Sequence, residues 1–321
     1  MLPKISYKQR LESLDLIAFD QIFSLYFFKF IAGDKNTVSG FADIAIDELY
    51  LWAGARVGSN RFVKTVCSAV ARFNNSLKAL SQNSKLTLDD LIAINTRLRP
   101  KKRNYGIRTS NMRAGNPKTN ANAFYCIAPQ LVKEYLDDLI DFINSDVKND
   151  ANKALLVLQQ FIFIHPFSDG NGRLSRLLLL KILQEKHGLI YSCLLSIYLK
   201  NINRDNYHKA VSQYQQNDVV ALQQFYNQAI QWTNQSAKIL SGFIQEYTNK
   251  VGQQNIGSDS NYLQVVIKTK VNQKLDESVF QPQVTKGQYK IYFNTALLNA
   301  LNQFDYYLRF ELRSCMVASP N

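Results

Sequence analysis

The sequence predicts a mainly α protein: a helical bundle interrupted by one short hairpin, then a small C-terminal α+β unit. Three observations point there. Apolar residues recur at the 3.6-residue helical period from Leu11 to about Ile239. One interval inside that region, Asn104 to Phe124, is poor in helix formers and rich in Asn and Gly, as a hairpin or loop should be. After about Lys250 the composition changes. Gly252 to Ser260 reads as a linker, and Val, Ile and Tyr then gather in partly alternating runs.

Taken in order, helices are expected over 14–30, 43–52, 60–81, 88–98, 129–145, 152–164, 172–187, 203–215 and 218–247. The first is rich in Phe and Ile, but Asp20 and Lys29 interrupt it, so a buried helix fits better than a membrane span. Thr87-Leu88-Asp89-Asp90 supplies a capping-box-like start, with Asp in place of the usual Glu. Strands are expected over 262–271 and 288–295, with a helix at 296–304. The chain thus divides into an N-terminal helical region (1–85), a core (86–236), a helix end and linker (237–260) and the C-terminal unit (261–321).

With 321 residues, 46% of them hydrophobic, the chain can bury one large core and an appended unit. Cys67, Cys126, Cys193 and Cys315 are too scattered for a zinc site or a disulfide framework. The three histidines, His165, His187 and His208, do not cluster. Met1 to Leu16 lacks the apolar run of a signal peptide, so a cytoplasmic enzyme is expected, with secretion as an effector left open. Net charge is +13, unevenly spread. No acidic residue lies between Asp90 and Glu134, while Arg97, Arg99, Lys101, Lys102, Arg103, Arg108, Arg113, Lys118 and Lys133 do. Such a face suits an acidic partner or one bound to nucleic acid; direct nucleic-acid binding is left open.

The densest chemistry lies in His165-Pro166-Phe167-Ser168-Asp169-Gly170-Asn171-Gly172-Arg173-Leu174-Ser175-Arg176. It sits between Phe161-Ile162-Phe163-Ile164 and Leu177-Leu178-Leu179-Leu180. Polar groups wedged between buried segments cost free energy unless they serve something. Gly170 and Gly172 let the backbone bring N–H groups close to an anion at the start of the leucine-rich helix. Arg173 and Arg176, three apart, share a face and can reach the same phosphate. Asp169 can hold a magnesium ion bridging two phosphates, and His165 can accept a hydroxyl proton.

This window resembles the signature of the Fic (filamentation induced by cAMP) family, His-Pro-Phe-x-(Asp/Glu)-Gly-Asn-Gly-Arg-x-x-Arg, at every fixed position. Tyr105 to Met112 with Gly115 resembles the family's flap hairpin. Arg204-Asp205-Asn206-Tyr207-His208 resembles its Arg-x-x-Tyr-Tyr stretch near the adenine, with His208 for the second tyrosine. The likeness implies a Fic-type bundle with the flap beside the active site. It also implies transfer of AMP from ATP to a Tyr, Thr or Ser hydroxyl of a target protein, with release of pyrophosphate. In that reading His165 is the base and Asp169 the Mg²⁺ ligand. Backbone groups of Gly170, Asn171 and Gly172 form the anion hole, and Arg173 and Arg176 hold the β- and γ-phosphates. Ser168, Gln160, Tyr207 and His208 belong to the nucleotide site. Phe167, counted with the same loop, reads as the apolar peg that fixes it. Thr109, Ser110, Asn111 and Met112 form the target-docking flap.

Relatives that phosphorylate their targets carry lysine where Arg173 stands, so arginine favours adenylylation; UTP or GTP would present the same phosphates as ATP. Many relatives have an inhibitory (Ser/Thr)-x-x-x-Glu-(Gly/Asn) helix. Here no glutamate is followed by Gly or Asn, and the expected segment, Asn36 to Asp43, has no glutamate at all. A separate antitoxin chain supplying that carboxylate is one expectation that follows. A nucleotide-sensing binding protein with negligible transfer is the alternative function. No membrane partner is expected.

Overall fold

The leucine-rich run that follows the motif is the axis of the molecule. The computed structural model describes residues 16–33, 44–58, 61–99, 106–114, 124–148, 150–202, 204–252, 264–271, 273, 275–286 and 288–317. The N-terminal residues to 15, the segment 36–43, Lys101–Arg103, the segment 115–123 with Gly115 and Lys118, and the expected linker beyond Gly252 lie outside these. The fold is mainly α. In order come α1 (Leu16–Ile31), α2 (Ile46–Ala55), α3 (Arg61–Gln82), α4 (Leu88–Leu98), β1 (Arg113–Ala114), β2 (Phe124–Tyr125) and α5 (Val132–Asn144). There follow α6 (Ala151–Ile164), α7 (Asn171–Ile197), α8 (Arg204–Gln215) and α9 (Val219–Val251). The chain ends with β3 (Val266–Lys270), β4 (Phe280–Lys286), β5 (Tyr289–Asn294) and α10 (Thr295–Val317).

Helix α7 packs against α6, α1, α9 and α3. Leu174, Leu177, Leu178, Leu179, Leu180 and Leu183 are all fully buried, the pattern of a helix surrounded by neighbours on every side. The predicted end at His187 corresponds to a real break. Gly188 leaves the helical region (φ 79°, ψ 165°). The backbone N–H groups of Leu189 and Ile190 then donate to the Asp20 carboxylate of α1, which restarts the helix through Ile197. Periodicity could not show this restart, because the acceptor comes from a distant helix. The capping box is present: Thr87 Oγ1 accepts from the Asp90 N–H at 3.2 Å, and Thr87 N–H donates to Asp90 Oδ2 at 2.9 Å.

The hairpin is a two-residue antiparallel ladder, Arg113 opposite Tyr125 and Ala114 opposite Phe124. The C-terminal strands form an antiparallel sheet in the order β3-β5-β4. Sequence reading found β3 and β5 but missed β4, which contains Pro282. Proline is tolerated there because β4 is an edge strand, with a register shift between Pro282 and Val284. Helix α10 runs well past the predicted 296–304. One hydrophobic cluster extends from Phe19 in α1 to Leu308 in α10, so the C-terminal unit shares the bundle's core. The joint includes a buried ion pair, Lys29 Nζ to Asp305 Oδ1 at 3.1 Å. No helix among the described residues is long and apolar enough to cross a membrane.

Candidate active site

Helix α6 delivers His165. Its last turn ends at this residue, which adopts a left-handed conformation (φ 48°, ψ 58°) uncommon for a side chain other than glycine or asparagine. Every carbonyl of that helix end has a partner. Phe161 O accepts from His165 N–H, and Phe163 O accepts from Ile127 N–H. Ile162 O lies 3.2 Å from His165 Nδ1. Ile164 O and His165 O accept from the Arg108 guanidinium at 3.1 and 2.7 Å. A carbonyl oxygen only accepts, so Nδ1 carries the proton and the neutral ring keeps its lone pair on Nε2. The geometry fixes both tautomer and ring orientation, which is what a general base needs.

The loop that follows is closed by Asn171, which is 2% exposed. Its Nδ2 donates to Phe167 O at 2.6 Å, and its Oδ1 accepts from Phe167 N–H at 3.0 Å. Phe167 itself is fully buried against Phe161, the peg that the sequence suggested. Ser168 is exposed. Gly170 precedes α7 at φ 89°. A Cβ there would lie 2.2 Å from Asn95 Oδ1 and 2.9 Å from Arg99 Cδ, so only glycine fits. Helix α7 begins at Asn171, one residue before the predicted start. Its first N–H groups, at Asn171 and Gly172, have no acceptor within the helix. Gly170 N–H is instead bonded to Asp169 Oδ1 at 2.7 Å.

Asp169 lies between two guanidinium groups: Oδ1 is 3.4 Å from Arg173 Nη2, and Oδ2 is 3.3 Å from Arg99 Nε. Arg173 also donates to Leu98 O at the end of α4. Arg72 of α3 stands close enough that burial first, and the like charge of Arg173 second, weaken its hold on its proton. Cations therefore outnumber the single carboxylate, an arrangement suited to a polyphosphate. Arg176 lies over the first turn of α7, where a Cβ on Gly172 would sit 3.3 Å from its Nη1. Its Nε donates to Ile31 O at 3.1 Å, and its Nη2 to Gly33 O at 3.4 Å, both at the end of α1.

Beside the loop is a cleft of about 800 Å³ lined by Arg108, Thr109, Ser110, Asn111, Ala128, Pro129 and Gln130. Thr109, Ser110 and Asn111 are exposed, and Met112 is half-buried. The structure thus gathers His165, Asp169, Gly170, Asn171, Gly172, Arg173 and Arg176 at one junction, with the flap adjoining. Of the residues expected near the adenine, Tyr207 is buried with its hydroxyl 3.5 Å from Gln159 Oε1, and His208 is half-buried. Gln160 is half-buried, whereas its neighbour Gln159 accepts from Tyr226 Oη at 2.8 Å inside the core.

Sequence reasoning missed two residues. Arg99 and Arg108 were counted with a basic docking face, yet they are 8% and 5% exposed and donate to Asp169 O and His165 O from within. Their signal was weak but present: each lies beside a helix end or hairpin in a stretch without a carboxylate to pair with. Arg97 and Arg113 are exposed, Arg113 over the Tyr125 ring, while Lys133 pairs with Asp137 at 2.6 Å.

A model of the Fic/DOC family matches residues 85–183. Those residues form a Fic/DOC domain. It takes in α4, the hairpin, α5, α6, the loop and the first half of α7, stopping shortly before the Gly188 break. Protein adenylyltransferase fic-1 of Caenorhabditis briggsae is 26% identical over 166 residues, 50% of this chain and 31% of that protein. Protein adenylyltransferase and cysteine protease IbpA of Histophilus somni is 33% identical over 108 residues, 32% of this chain and 2% of IbpA. The chain therefore spans less than a third of the length of these curated relatives. Among solved structures, a Fic domain containing signaling protein from Bacteroides thetaiotaomicron superposes with a TM-score of 0.51. That match, at 17% identity, covers 73% of this chain and 93% of the other, and shows the shared fold. Two pieces of the Fic domain frame the site: α6 ends at His165, and α7 begins at Asn171.

Proposed function

We propose that the protein transfers AMP from ATP to a hydroxyl side chain of a target protein, releasing pyrophosphate. The observation that carries this reading is His165, oriented through Nδ1 so that Nε2 is the proton-accepting nitrogen of the neutral ring, next to a loop rich in guanidinium and helix N–H donors. A phosphate binder has no use for a base so oriented. Nε2 removes the target hydroxyl's proton as its oxygen attacks the α-phosphorus, and the bond from that phosphorus to the oxygen bridging to the β-phosphate breaks. Asn171 and Gly172 N–H groups and Arg173 stabilise charge on the phosphates, and Arg176 joins them by leaving the end of α1. The donor set fits magnesium that arrives with the nucleotide. Asp169 offers one carboxylate, and the described residues contain no group of three or more His, Cys, Asp or Glu able to hold a metal. Magnesium would supply neutralisation of the phosphate charge, with Asp169 as its protein ligand after exchange from Arg99 and Arg173.

The target's hydroxyl segment is read as acidic or attached to nucleic acid, attracted by Arg97, Arg113 and the Lys101–Arg103 run. Replacing Lys101, Lys102 and Arg103 by Ser should then weaken target labelling at low salt. An inhibitor chain supplying a carboxylate to Arg176 would have to displace two carbonyl oxygens. The decisive test is labelled ATP with Mg²⁺ and a cell extract, beside His165→Ala. Label on protein that disappears in the variant supports transfer, whereas ATP binding without label would establish a sensor instead.

A further inference from the structure

We infer that Arg108 is a positioning residue that sets the distance between the target-docking flap and His165; this rests on the transfer reaction proposed above. Its guanidinium makes four links. Nε donates to His165 O at 2.7 Å, Nη1 to Ser110 O at 2.7 Å, and Nη2 to Ile127 O at 2.5 Å and Ile164 O at 3.1 Å. Its own backbone N–H donates to Pro166 O at 2.8 Å. One planar group therefore ties the base, the end of α6, the flap and the strand returning from the flap. The described ladder of the flap is two residue pairs long, too short to be stable by itself.

The acceptors are four carbonyls, and no carboxylate faces the guanidinium among the bonds just given. An ion pair would stabilise the charge with loose geometry. Planar N–H groups aimed at four separate carbonyls fix direction as well as distance. Lysine cannot replace this arrangement, since an ammonium has three donors radiating from one point. Arg108 touches neither nucleotide phosphates nor the proton in flight. It acts through the flap, which sets where the target hydroxyl rests relative to Nε2, and an error of about 1 Å there costs ~100-fold in rate.

The test compares Arg108→Lys with wild type in the full chain. The expected result is roughly a 10- to 100-fold loss in kcat/KM for target labelling, with ATP affinity measured calorimetrically changing less than about threefold, because the phosphate loop hangs on Asn171 and Asp169 instead. Equal losses in ATP binding and transfer would reduce Arg108 to a general fold stabiliser and overturn the inference. So would unchanged transfer. Amide hydrogen exchange gives a reading that needs no activity. The Cys126 and Ile127 amides, which bond to Met112 O and Phe163 O across the junction, should exchange at least about 10-fold faster in Arg108→Lys. Amides of Leu155 to Leu158 should not change. If wild type transfers nothing, the proposed function fails while exchange still decides whether Arg108 joins flap to base; equal protection in both proteins would refute that.

Discussion

Gly170→Ala tests whether the loop is built as described, because two separate costs meet at that position. The first is backbone strain. At φ 89° a residue with a Cβ is disfavoured by about 1 kcal/mol relative to glycine. The second is overlap, since the new methyl would lie 2.2 Å from Asn95 Oδ1 and 2.9 Å from Arg99 Cδ. Overpacking of this kind costs roughly 1–3 kcal/mol where neighbours cannot move freely, and Asn95 is only 1% exposed. The single variant should therefore lose ~2–4 kcal/mol of unfolding free energy. Asn95 offers a way to separate the terms. Neither its Oδ1 nor its Nδ2 has a partner among the hydrogen bonds of the structure. Asn95→Ala then removes an unsatisfied amide along with some packing and should cost little. In the double variant the overlap with Asn95 disappears while the strain at residue 170 remains. Urea unfolding of all four proteins forms a double-mutant cycle, with an expected coupling of ~1–2 kcal/mol in favour of the double variant. A coupling indistinguishable from zero would show that Asn95 does not press on Gly170, and the described approach of α4 to the loop would be wrong.

Other predictions follow from the same bonds. Asn171→Ala strands the Phe167 N–H and carbonyl inside the protein and should destabilise by ~2–4 kcal/mol, read by urea unfolding, with ATP binding lost in the protein that stays folded. Asp305→Leu should cost more than Lys29→Met, about 3–5 against 1–2 kcal/mol. The first leaves a fully buried ammonium without its carboxylate, whereas after the second Asp305 keeps Arg309 at 2.5 Å; the reverse order of midpoints would contradict this. Burial raises the Asp20 carboxyl to about 6 from the usual 3.8, although two backbone N–H groups oppose the shift. The unfolded chain therefore releases this proton at lower pH than the folded protein does. The residue's contribution to stability is full below pH ~4 and is lost as pH rises through ~6. Asp20→Asn keeps an acceptor for the helix start at Leu189 and removes the titration. The variant should gain roughly 1–2 kcal/mol on wild type between pH ~4 and ~8, a figure reduced for partial solvent screening. Parallel pH curves for the two proteins would rule this out.

Much of the fold was legible because the bundle's interior is written locally. Apolar spacing places α3 and α4 to within a residue, and the capping box at Thr87 is contained in four consecutive residues. The motif loop was legible for the same reason: histidine, carboxylate, glycines and arginines lie within twelve residues. What escaped has long-range causes. The restart of α7 depends on Asp20, far upstream. Strand β4 carries a proline that looks forbidden until the sheet order makes it an edge. Arg99 and Arg108 look like surface charge because their partners, the carbonyl and carboxylate of Asp169 for one and four backbone carbonyls for the other, are brought to them only by the fold.

That last point changes what the net charge of +13 means. Several of the cations end helices. Lys153 Nζ, on a residue 3% exposed, donates to Ile143 O, Ser145 O and Val147 O at the end of α5. Lys200 donates to Phe30 O and Gly33 O, and Arg176 to Ile31 O and Gly33 O, at the end of α1. Arg173 serves α4, and Arg108 serves α6. A helix C-terminus carries about half a negative charge and unsatisfied carbonyls, so a cation there meets both needs without any carboxylate. An excess of bases over acids is the compositional result. Two of these caps, Arg173 and Arg176, are also the arginines of the motif. The ends of α4 and α1 therefore hold these two side chains near the start of α7, so that under the proposed function nucleotide binding would exchange carbonyl oxygens for phosphate oxygens and need not collect free side chains from solvent.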